Sequence, residues 1–227
     1  MLDGLSHLAL EVRYLDRARA FYEERLGLRP EAVADGEVAY AVGETDLILR
    51  RPSTVPRGAL HLHYALSTPP DAFPTWEERL ADLDPDVVEF GEYRSIYVDD
   101  PDGHCVELGN NGEAGGADPG GVFEVVLEVE SLSTAEETYR ALGFEPVDRG
   151  ERRRRVRLRG PFDLELWEPQ LGLADARGGV HVDLGFATAN PGAAADAIAG
   201  RCQSRQDHET GVRVRDADGH YLTFEAG

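Results

Sequence analysis

Strict alternation of apolar and polar positions recurs along the chain. In LSHLALEV, residues 5–12, Leu8, Leu10 and Val12 fall on one side, and His7 and Ala9 fall on the other. In LHLHYAL, residues 60–66, Leu60, Leu62, Tyr64 and Leu66 share one side, opposite His61, His63 and Ala65. EVAYAV (37–42) and HCVELG (104–109) alternate in the same way, so Val106 and Leu108 point to a core while Cys105, Glu107 and Gly109 point across. Helix-period segments follow, with start signals at Asp16, at Thr68 with Pro69, at Ser133 with Glu136 and at Asn190 with Pro191. The run Asp100-Pro101-Asp102-Gly103 between two strand-like flanks predicts a hairpin.

The pattern repeats. GLSHLALEVRYLDRARAFYEERLGL (4–28) aligns with GVFEVVLEVESLSTAEETYRALGF (121–144), RGALHLHYALST (57–68) with RGGVHVDLGFAT (177–188), and SIYVDDPDGHCVEL (95–108) with GVRVRDADGHYLTF (211–224). Each half divides again, because a strand at 59–67 is followed by a further helix and further strands. The unit is therefore βαβββ, about 55 residues long and present four times. The Gly-, Asp- and Pro-rich NNGEAGGADPG, residues 110–120, reads as a linker between an N-terminal domain, 1–112, and a C-terminal domain, 118–227.

Charge narrows the range of partners. The formal net charge is −20 and every basic side chain is arginine. Such an acid surplus repels phosphate backbones and anionic membranes, and the lack of lysine removes Schiff-base chemistry. It is the pattern expected of a halophilic protein, whose carboxylates stay hydrated in high salt. No apolar run approaches about 18 residues and the first residues lack the features of a signal peptide, so a cytoplasmic location is expected. Two cysteines, Cys105 and Cys202, give neither a disulfide framework nor a CxxC motif.

Period-two reading lifts His7, His63 and Glu107 off the helix-packed side onto a concave face, where a carboxylate bracketed by Val106 and Leu108 can find partners. The strings HLAL…FYEERLGL, HYAL and YVDDPDGHCVEL resemble the vicinal oxygen chelate superfamily of glyoxalases, fosfomycin-resistance enzymes, epimerases, bleomycin-binding proteins and extradiol dioxygenases. The resemblance implies an α+β fold of four βαβββ modules paired into two incomplete-barrel domains. It also implies one divalent metal in the N-terminal domain, held by His7, His63 and Glu107. Two imidazoles and a carboxylate suit Fe(II) or Mn(II), with Zn(II) also usable. A small-molecule substrate is implied as the partner, and a homodimer is compatible with it.

The expected pocket wall is His61, Val38, Tyr40, Val42 and Ile48, and Tyr97 is the candidate catalytic residue. A five-residue loop would set Tyr97 opposite Glu107, whereas a four-residue loop would turn it to the core. Extradiol-dioxygenase-like chemistry on a small catechol leads the readings, although the acid-base histidine that such enzymes carry near position 48 is Ile48 here. A glyoxalase, epimerase or fosfomycin-transferase type is the first alternative, yet Leu47–Leu49 offer no fourth ligand and Ala9 stands where a transferase usually has a polar group. A metal-free, bleomycin-resistance type binding protein is the second.

In the second half, His7, His63 and Glu107 become Glu124, Asp183 and Thr223, with His181 and Glu225 on the same face. The run RGERRRRVRLRG, 149–160, would send Arg155, Arg157 and Arg159 to that face and Val156 and Leu158 to the core. The C-terminal domain is therefore expected to have replaced its metal with ion pairs from these arginines to Glu124 and Asp183.

Overall fold

The alternating segments become strands in the computed structural model, which describes residues 2–52, 61–112, 118–152, 154–169 and 182–227. The first module runs β1 (Leu2–Glu11), α1 (Leu15–Ala20), β2 (Pro30–Ala34), β3 (Glu37–Val42) and β4 (Thr45–Arg50). The second runs β5 (Leu62–Ser67), α2 (Phe73–Leu80), β6 (Asp86–Phe90), β7 (Tyr93–Asp99) and β8 (Cys105–Gly109). The third runs β9 (Val122–Glu128), α3 (Leu132–Ala141), β10 (Glu145–Arg149), β11 (Arg155–Arg159) and β12 (Asp163–Trp167). The fourth runs β13 (Val182–Thr188), α4 (Pro191–Ile198), β14 (Ser204–Asp207), β15 (Gly211–Arg215) and β16 (Tyr221–Glu225). The fold is thus the expected α+β arrangement of four βαβββ modules. Among the described residues no helix is long and apolar enough to cross a membrane. His181 lies outside the described residues.

The modules assemble into two eight-stranded sheets, ordered β14-β15-β16-β13-β1-β4-β3-β2 and β10-β11-β12-β9-β5-β8-β7-β6. Module one therefore pairs with module four, and module two with module three. This corrects the expected division into barrels at 1–112 and 118–227, since each sheet takes four strands from either half. The physical reason lies in the linker. Gly120 N–H bonds Ser67 O, Ser67 N–H bonds Gly121 O and Gly112 N–H bonds Thr68 O, so the connection is pinned to the end of β5 and delivers β9 alongside it. Glycine is required for that approach at position 112, where a Cβ would lie 2.8 Å from the backbone carbon of Thr68. Alternation alone cannot distinguish β5 from β13 as the neighbour of β1, because both carry the same apolar period.

Consecutive modules meet instead through their helix-covered faces. Tyr22 Oη donates to Asp100 Oδ2 at 2.9 Å and accepts from Tyr64 Oη at 2.8 Å, and Asp100 Oδ2 also meets His104 Nδ1 at 2.8 Å. This network, entirely buried, ties the α1 segment to the turn between β7 and β8. His104 is thus a core residue, although its place in a turn suggests exposure. Around it Leu8, Leu10, Tyr40, Leu47, Ile96, Val106 and their counterparts in the second half form one continuous apolar cluster. Helix starts shift slightly from expectation. Asn190 caps α4 through Ala193 N–H at 3.0 Å, but Ser131 rather than Ser133 caps α3, and Thr68 bonds Gly109 O.

Candidate metal centre

Antiparallel pairing of β5 with β9 sets Ala65 opposite Glu124 and His63 opposite Val126, while parallel pairing of β5 with β8 brings Glu107 beside Ala65. His63, Glu107 and Glu124 therefore converge from three adjacent strands, and one ligand atom from each lies within 4.8 Å of the others. All three are buried. His63 Nε2 is 2.8 Å from Glu107 Oε2, and Tyr93 Oη donates to Glu107 Oε1 at 2.6 Å, joined there by Ser95 Oγ. Burial works against ionisation of Glu107, but the bonds from His63, Ser95 and Tyr93 outweigh it and hold the carboxyl below its ordinary range.

Glu124 has the opposite balance. Burial pushes its carboxyl up to about 8; Arg157 opposes the rise, and Glu165, Glu107 and Asp163 add to it. Arg157 bridges two buried acids, with Nη2 on Glu124 and Nε on Glu165 at 2.8 Å. Glu165 also accepts from Arg155 Nη1 at 3.1 Å and from Trp167 Nε1 at 2.8 Å. Glu124 is therefore the member of the cluster that burial holds protonated near neutral pH, and a cation bound there would have to displace that proton.

The expected site residues separate. His63 and Glu107 stand together, but His7 belongs to the other sheet, where it pairs with Gly185. Its Nε2 is 3.7 Å from Asp183 Oδ1 and its Nδ1 is 3.7 Å from Glu225 Oε2. Burial would lower the His7 pKa, yet those two carboxylates raise it to about 9. The expected grouping of His7 with His63 and Glu107 is corrected by the module pairing, which puts Glu124 at the place of His7. The expected ion pairs are met in part: Arg157 reaches Glu124, whereas Asp183, on the other sheet, is held by Arg50, Arg213 and Thr223.

The pocket wall is corrected as well. Val38, Tyr40 and Val42 are fully buried on the helix side, and Tyr40 Oη donates to Glu23 at 3.1 Å. Ile48 does lie on a concave face, next to Ala9, but in the sheet of His7. His61 flanks His63 with ring centroids 6.2 Å apart and stacks on Trp167 at 5.6 Å. Tyr97 sits directly opposite Glu107 across a loop of residues 100–104, with its ring 5.5 Å from that of His63. Glu124 was visible in the repeat alignment as the counterpart of His7. Tyr93, Ser95, Glu165 and Trp167 carried no motif.

Residues 4–108 match the family described as the Glyoxalase/Bleomycin resistance protein/Dioxygenase superfamily. The fold of the whole chain is that of glyoxalase I from Zea mays, which superposes with a TM-score of 0.66 at 17% identity, covering 98% of this chain and 92% of that one. Residues 4–108 belong to that superfamily. Its similarity to curated proteins lies in one half. Metallothiol transferase FosB from Bacillus licheniformis is 29% identical over 113 residues, 46% of this chain and 73% of that protein. The FosB of Shouchella clausii is 26% identical over 117 residues, 48% of this chain and 80% of that protein. Vicinal oxygen chelate enzymes are metal-dependent and act on small molecules, and the cluster on β5, β8 and β9 offers such a metal a place.

Proposed function

We propose that His63, Glu107 and Glu124 hold one divalent metal and that the protein is a vicinal oxygen chelate metalloenzyme of lyase or transferase type, acting on a small substrate with adjacent oxygens. The carrying observation is the donor set. Two buried carboxyl groups and one imidazole on three neighbouring strands, with ligand atoms close enough to share one ion, favour Mn(II) or Zn(II). This set differs from the two imidazoles and one carboxylate of nonhaem iron oxygenases, so ring-opening dioxygenation of a catechol ranks second. The metal would polarise the substrate oxygens.

The chain's own groups do the rest. Tyr93 and Ser95 fix the orientation of Glu107, as outer partners of a ligand do. Burial and the Glu107 carboxylate raise the Tyr97 phenol above its ordinary range, so it stays protonated and can donate a hydrogen bond to a substrate oxygen. His61 and Trp167 form a stacked wall beside His63 that limits water and suits a ligand with an apolar face. A metal-free binding role is supported by one observation, the bond from Arg157 that already neutralises Glu124.

Calorimetric titration of metal-stripped protein with Mn(II) and Zn(II) decides between them. One equivalent should bind, His63→Ala and Glu107→Ala should abolish binding, Glu124→Gln should weaken it about tenfold or more, and His7→Ala should leave it unchanged. Absence of binding to the wild type would leave the metal-free role. Loss on His7→Ala with no effect of Glu124→Gln would return the ligand set to the grouping expected from the sequence.

A further inference from the structure

The sheet of His7 carries a cavity where the other sheet carries the candidate metal centre. Rung for rung, Tyr97 opposite Glu107 becomes Arg213 opposite Thr223, and Ser95 opposite Gly109 becomes Gly211 opposite Glu225. In the first sheet of that comparison Tyr93 and Ser95 reach over to Glu107, and Tyr93 Oη also fills the space above Gly109, 2.5 Å from where a Cβ would stand. Their counterparts are Glu209, which is exposed, and Gly211, which has no side chain. With Glu107 also shortened to Thr223, a space of about 240 Å³ is left, lined by His208, Thr210, Gly211, Arg213, Thr223 and Glu225. His208 and Thr210 are exposed, so the space is reached from solvent.

Two walls of this space are charged, with opposite signs. Arg213 gives Nε to Thr223 Oγ1 at 3.0 Å and Nη2 to Asp183, and the ring of Tyr221 lies 5.5 Å away. These contacts fix the guanidinium and leave Nη1, which has no acceptor among the described residues and is not buried, the side chain being 30% exposed. Glu225 is 38% exposed, and His7, 3.7 Å away, holds its carboxyl below the ordinary range, so it is ionised. Arg213 and Glu225 stand at diagonal positions of β15 and β16, about 7–8 Å apart at the backbone, and no ion pair joins them. A ligand with two negative charges would be repelled by Glu225, and a simple cation by Arg213. The pair selects a small molecule that carries one charge of each sign close together.

We infer that this cavity is a second ligand site, independent of the metal centre, which takes a small α-amino acid with its carboxylate on Arg213 Nη1 and its ammonium group on Glu225. L-Serine is a suitable probe, because 3-hydroxypropionate is the same molecule without the amino group and ethanolamine is the same molecule without the carboxylate. Nitrogen-15 NMR titration of metal-stripped full-length protein should show saturable shifts at the amides of Gly211 and Arg213 and none at His63 or Glu107. Each of the two smaller molecules should bind about tenfold more weakly or less. Glu225→Gln should weaken serine about tenfold or more without weakening 3-hydroxypropionate. Thr210→Tyr, which changes only an exposed wall of the cavity, should block serine while the melting temperature holds. No saturable shift at millimolar serine overturns the inference, as do equal affinity for 3-hydroxypropionate, undiminished serine binding in Glu225→Gln or Thr210→Tyr, and shifts centred on His63.

Discussion

Gly185 faces the His7 imidazole so closely that a Cβ there would collide with Nδ1 and two ring carbons. The glycine is kept by its neighbour rather than by its own backbone, and the ring cannot retreat without leaving Asp183 and Glu225. Gly185→Ala should therefore cost about 1–3 kcal/mol, and the double variant with His7→Ala should recover most of it; additive losses in chemical denaturation would deny the contact. His7 also carries a pH signature. Its folded pKa of about 9 exceeds the ordinary 6.5, so its contribution is complete below pH 6.5 and fades as pH rises through about 9. Denaturation midpoints should fall across that interval by an amount on the order of 2 kcal/mol in stability, and His7→Asn should flatten the slope there. At this scale much could be read from the sequence, because period two assigns sides reliably. It failed for EVAYAV, where alanines and larger residues alternate and either set could pack under a helix; the structure packs Val38, Tyr40 and Val42.

Strand β11 shows how an element can be legible while its role is not. Val156 and Leu158 enter the core and Arg155 and Arg157 the concave face, as the arginine run implies, while Arg159 stays exposed. Its neighbours were not foreseeable from spacing: β11 lies two strands from β9 in the sheet that also holds His63. Arg157 consequently bears on the candidate metal centre and not on Asp183. Arg157→Ala leaves Glu124 and Glu165 short of their shared cation and should destabilise the metal-free protein by about 2–3 kcal/mol. Added Mn(II) should then raise the melting temperature of this variant more than that of the wild type, because the ion supplies the missing positive charge. Equal shifts in both proteins would detach Arg157 from the site. The hairpin carrying Tyr97 depended on loop length alone, and five residues between Asp99 and Cys105 settle the register opposite Glu107.

For the whole molecule, the repeat and its four modules were plain in the sequence, and the partnering of modules was not, because it depends on a linker pinned by backbone hydrogen bonds at Ser67 and Thr68. Residues 1–112 alone would contain β1 and β5 with no β13 or β9 to complete their sheets. That fragment should self-associate, with module one of one copy standing where module three stands now, and His7 would then take the position of Glu124. Size-exclusion chromatography should report a dimer, and metal titration should find two equivalent centres per dimer; a stable monomer would refute the pairing. The same geometry bears on descent. A symmetric ancestor of two identical short chains would have been bound to keep both concave faces alike, since any substitution appears in each. A single chain with two unlike halves is free of that bond, and the two faces here carry different chemistries: acid-lined around His63, and guanidinium-lined around Asp183.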